Sequence, residues 1–160
     1  MAFSQPLKSN VGIRSIMETL HKIIALFLAC LQTAACAPTT MQDVREKHSG
    51  EYTFAVHEHY QKVYRTILYQ ERKCFATGMI TAQMVVDGDL FTDLKTGNVS
   101  VALHGGAGVN TFLVIDIKES TDMSTAVTVY NSVGTWEKPA KAVEEWVIDG
   151  STECKSDKSN

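Results

Sequence analysis

The sequence predicts an α+β domain: an antiparallel meander sheet of five or six strands with two helices packed on one face. Three observations carry this. Residues Glu51–Val56, EYTFAV, set Tyr52, Phe54 and Val56 on one side of an extended chain, the period of a half-buried strand. Tyr60, Val63, Tyr64, Ile67 and Leu68 recur at helical spacing, and so do Trp136, Pro139, Val143, Trp146 and Val147. Between these helices, short apolar runs alternate with turn residues, so consecutive strands fold back on one another.

Ahead of the domain stands a leader. The run Ile23–Leu31, IIALFLACL, is almost wholly apolar. A bilayer span takes roughly 20 apolar residues, whereas the apolar core of a secretory signal takes about 7–15, and this run matches the second. Lys8, Arg14 and Lys22 precede it; Thr33, Ala34 and Ala35, small enough for a peptidase site, follow it and lead to Cys36. Residues 1–35 therefore read as a signal peptide. The sequence TAAC-APTT resembles the lipobox of bacterial lipoproteins. That resemblance implies lipidation of the Cys36 thiol, cleavage just before it, and three acyl chains on the new terminus, where two suffice for stable anchoring. Ala37 in place of Asp implies, for a Gram-negative source, the cell outer membrane with the domain facing the periplasm. The residues alone leave a second reading, an ordinary A-x-A signal with Cys36 unmodified, and a second start at Met17.

Residues 36–50 are polar and mixed and read as a lipidated tether. The domain proper spans 51–154. Its first helix runs from about Glu58 to Cys74, with Gln61, Lys62, Arg65, Gln70, Arg72 and Lys73 on the solvent side and basic residues gathered toward the C-terminus, where the helix dipole favours them. From Ala76 the period becomes that of strands. Asp87-Gly88 and Thr96-Gly97 read as turn dipeptides and His104–Gly108, HGGAG, as a looser loop. Thr111–Glu119 is the clearest strand, and Thr125–Asn131 returns from a turn at Ser120–Ser124. The second helix covers about Lys138–Ile148, with Pro139 near its start and Gly150 as its stop. Residues 155–160 read as a disordered tail.

The order of strand EYTFAV, helix HYQKVYRTILYQERKC, strand run and helix KPAKAVEEWVID resembles the helix-grip arrangement of small outer-membrane lipoproteins, and more distantly the BamC-like accessory domains of the barrel-assembly machinery. This resemblance implies an envelope protein that binds rather than catalyses. It carries no catalytic residue across.

Charge points the same way. The segment 36–160 keeps 12 of the 15 basic and 17 of the 18 acidic residues, a net of −5. Such a domain has no electrostatic footprint for nucleic acid or for anionic lipid. Of the four cysteines, Cys30 leaves with the signal and Cys36 takes lipid. Cys74 and Cys154 remain, either bridged in an oxidising compartment or as two buried thiols.

Candidate chemistry is sparse. His57 and His59 form an H-x-H pair with no third ligand at useful spacing, so no metal is expected. Asp87, Asp89 and Asp93 lack the glycine and distal glutamate of an EF-hand loop. HGGAG has no following helix to hold a phosphate. No motif for a serine, cysteine or metal hydrolase is present. The expectation is a non-enzymatic protein with no cofactor, binding a protein partner or an apolar small ligand, or else serving as an assembly accessory subunit. Tyr60, Tyr64, Trp136 and Trp146 are the candidates to line an apolar cavity between helix and sheet.

Overall fold

The computed structural model describes residues 37–121 and 123–155; the expected signal peptide (1–35), Cys36 and, of the expected tail at 155–160, residues 156–160 lie outside them. Among the described residues six strands form one antiparallel sheet, and three α-helices complete an α+β fold. The strands are β1 (Gly50–Val56), β2 (Thr77–Met79), β3 (Ala82–Phe91), β4 (Thr96–Gly105), β5 (Gly108–Thr121) and β6 (Ser124–Asn131). Their order is β1-β6-β5-β4-β3-β2. Strands β2 to β6 are a plain meander. The first strand closes the sheet beside the last, because helix α2 (Tyr60–Phe75) crosses from one edge to the other and touches β3, β4, β5 and β6 on the way. Helix α3 (Glu137–Ile148) follows a 3₁₀ turn at Gly134–Trp136 and touches β1, β6 and α2.

Alternation along the strands decides the core. Val99, Val101, Leu113, Ile115, Val127 and Val129 stand in paired register and are fully buried. They form one cluster with Tyr60, Val63, Tyr64 and Ile67 of α2 and with Ala140, Val143 and Trp146 of α3. Each fully buried aliphatic side chain contributes about 1.5–3 kcal/mol relative to exposure, so this cluster dominates the stability of the domain.

Three sequence expectations need correction. The segment read as a tether folds into a helix, α1 (Met41–Lys47). Thr40 caps it through its hydroxyl, which accepts from the Asp43 amide at 3.1 Å, while the Asp43 carboxylate accepts in return from the Thr40 amide at 3.2 Å. The Thr40 hydroxyl also donates to the Asp43 carboxylate at 2.7 Å, and this bond above all holds the Asp43 carboxyl below its usual value. Val44 on α1 is fully buried, and Arg45 makes two bonds to Asp116, at 2.7 and 2.8 Å. Asp116 alternates with Ile115 and Ile117, so α1 lies across the sheet face opposite the core cluster. Two apolar residues in seven, Met41 and Val44, were too few to give an amphipathic signal for it.

The two glycine dipeptides are not turns. Gly88 lies inside β3, paired with Val99, and Gly97 inside β4, paired with Leu90; the chain reverses instead over Thr92–Lys95. The reason is Tyr64. A Cβ on Gly88 would stand 2.8 Å from the Tyr64 hydroxyl oxygen, and one on Gly97 would stand 3.0 Å from its ring. The glycines open a slot in the sheet that the tyrosine fills. Finally, HGGAG is a tight hairpin, with Gly105 paired to Gly108 across two residues.

Candidate functional site

The four candidate cavity residues separate. Tyr60, Tyr64 and Trp146 are buried members of the core cluster, so they fill the space between helix and sheet rather than line an opening. The Trp146 indole N–H donates to the Glu153 carbonyl at 2.8 Å, the partner a buried indole needs. Trp136 is half-buried and lines a groove of about 400 Å³ with Cys74, Phe75, Thr77, Met84, Thr135 and Pro139.

Several elements build this groove. Trp136 ends the 3₁₀ turn, and its ring lies 5.0 Å from that of Phe112, at an interplanar angle of 4°. On its other flank Phe75, the last residue of α2, is 5.1 Å away and tilted by 40°. Phe112 reaches Trp136 because of a bulge. Val101 pairs with Leu113 and Ala102 with Thr111, so Phe112 is skipped by the ladder. Its carbonyl accepts instead from the Ser132 amide at 2.9 Å. Sequence alternation could not find Phe112, because a bulge breaks the period by which a strand's faces are read.

Cys74 and Cys154 lie at bonding distance, with Sγ atoms 2.08 Å and Cα atoms 5.3 Å apart. The bridge ties the end of α2 to the segment after α3, and Cys74 forms part of the groove wall. Lys73 reinforces this junction by donating to the Thr152 carbonyl at 3.0 Å.

The other candidates stay apart. His59 is the N-cap of α2, its Nδ1 accepting from the Gln61 amide, and His57 is exposed. Asp87 and Asp89 are exposed on β3, and Asp93 sits in the turn after it. Among the described residues no three His, Cys, Asp or Glu side chains converge as metal ligands. Cys36 lies outside the described residues.

One group escaped the sequence reading. Glu71 is fully buried on α2, and neither carboxylate oxygen has a hydrogen-bond partner among the described residues. Burial raises its pKa well above the ordinary value. A signal was present: Glu71 stands four residues after Ile67 and four before Phe75, on the apolar stripe. Gln70, assigned to the solvent face, is buried too.

The chain matches no known protein-family model and no curated protein.

Proposed function

We propose that this chain is an exported lipoprotein of the cell envelope, acylated at Cys36, whose domain works by binding rather than by catalysis. In this reading it resembles the helix-grip lipoproteins, sits on the outer membrane and faces the periplasm. There it engages a protein partner or an apolar small ligand. The observation that supports it most is the cysteine pair. Two thiols 80 residues apart lie at bonding distance, and disulfides persist in oxidising compartments.

The packed core moves the binding surface outward. Tyr60, Tyr64 and Trp146 occupy the gap where a carrier would hold its cargo. The groove beside Trp136, at about 400 Å³, is within the roughly 300–1,000 Å³ of ligand sites and is the place for an apolar group. A second reading, an assembly accessory subunit, draws support from β1, a seven-residue strand at the edge of the sheet. Edge strands offer unpaired backbone groups to an incoming strand.

Cys36→Ser should release the chain from membranes and abolish palmitate labelling; labelling that persists refutes the anchor. Trp136→Ala should cut crosslinking to envelope partners with the melting temperature little changed. Equal crosslinking by both proteins would move the binding surface away from the groove.

A further inference from the structure

Resting on the acylation of Cys36 proposed above, we infer that the domain stands on the bilayer by one end of its sheet, with the β2–β3 and β4–β5 hairpin tips in the lipid headgroup layer. The surface partner is the membrane itself.

The anchor has almost no slack. The Pro38 carbonyl accepts from the Thr111 amide at 2.9 Å, and the Thr39 carbonyl from the Thr111 hydroxyl at 3.3 Å. Two residues later the capping box begins α1, which Val44 and the Arg45–Asp116 pair hold on the sheet. An acyl group on Cys36 is two residues from Pro38, a reach of about 7 Å. The tip of the β4–β5 hairpin stands farther out. Gly108 lies three residues before Thr111 on β5, about 10 Å along the strand, and Gly106 and Ala107 lie beyond it. The leash is shorter than the overhang. A bilayer that receives the acyl chains beyond this end of the sheet therefore meets the tips.

Charge separates this orientation from the others. The register gathers segments 37–42, 75–86, 99–115 and 129–136 toward the anchored end, and none contains Asp, Glu, Lys or Arg, although Arg72 and Lys73, in the last turn of α2, stand just before the second of them. Ile80, at the β2–β3 tip, is fully exposed and shares a wall with His104, Gly105 and Gly106 of the neighbouring tip. The opposite end also exposes apolar side chains, Phe91, Leu94 and Met123, but they stand with Asp89, Asp93, Lys95, Lys118 and Glu119. The face under α1 carries Arg45, Asp87, Asp89 and Asp116. Charged side chains resist the loss of water that close contact with lipid imposes, so the uncharged end is the one that settles.

The test is hydrogen–deuterium exchange on the full-length chain, matured in a bacterial envelope and reconstituted in phosphatidylcholine vesicles. The Cys36→Ser chain in solution is the reference. The expected result is several-fold slower exchange at 79–82 and 104–109 on vesicles, with 92–95 and 119–124 unchanged. Protection confined to α1 or to 92–95, or none at all on protein that floats with the vesicles, overturns the orientation and leaves acylation standing. A wild-type chain that does not float with vesicles overturns acylation and the orientation with it. Ile80→Glu should reduce protection at both tips while flotation persists; undiminished protection would count against the tips as the contact.

Discussion

Glu71 makes the stability of this domain depend on pH in an unusual direction. Its carboxyl is fully buried and unpartnered among the described residues, and burial lifts its pKa well above the ordinary glutamate value. The folded state thus keeps a proton that the unfolded chain gives up. Below the unfolded value both states are protonated, and Glu71 costs nothing in linkage. Above it, stability falls by about 1.4 kcal/mol per pH unit until the folded carboxyl itself ionises. The loss is spread over the window between the unfolded value and the raised folded one, and it is set against the ~5–15 kcal/mol of an ordinary domain. Glu71→Gln removes the titration and keeps the shape. Urea unfolding of both proteins at pH 5, 6 and 7 reads the effect as the difference in unfolding free energy, which cancels the contributions of exposed carboxylates such as Asp43 and Glu137. That difference should shift in favour of the Gln variant as pH rises, by at most about 1.4 kcal/mol for each unit. A difference that stays flat over this range would mean that Glu71 ionises normally, and the argument from burial would be wrong.

Three further variants examine the packing. Trp146→Ala should lower stability by about 3–5 kcal/mol in denaturant unfolding, because the ring is 2% exposed; a near-neutral result would take it out of the core. Gly97→Ala forces a methyl group to within 3.0 Å of the Tyr64 ring and 3.1 Å of the Asp89 carbonyl. It should cost about 1–3 kcal/mol by thermal unfolding, and an unchanged melting temperature would show that Tyr64 does not fill the slot. Cys74→Ser combined with Cys154→Ser should cost about 2–5 kcal/mol relative to the oxidised protein; equal stabilities would show that the bridge constrains nothing.

Much of the architecture was legible because its signals are local. The stripe Tyr60, Val63, Tyr64 and Ile67 identified α2, the alternation in Thr125–Asn131 identified β6, and Pro139 and Gly150 bracketed α3. Where reading failed, a distant partner had overruled the local preference. Asp-Gly is a turn signal by its own chemistry, yet Gly88 is held in a strand by the ladder to Val99 and by a tyrosine 24 residues earlier. The candidate site fared worse than the fold. Aromatic residues at helical spacing mark a buried face, and a buried face looks the same in sequence whether a ligand or another side chain covers it. Trp136 and Trp146 are ten residues apart on one such stripe, and one borders a groove while the other is sealed.

By itself, the order of residues determined the α+β class and the positions of the two long helices, since each is a property of neighbours along the chain. Only the tertiary structure decided that Cys74 meets Cys154, that Arg45 pins α1 to Asp116, that Phe112 swings round to Trp136 and that Glu71 is buried. These depend on contacts between segments tens of residues apart, which come into being when strands find their register and the sheet acquires two distinct faces.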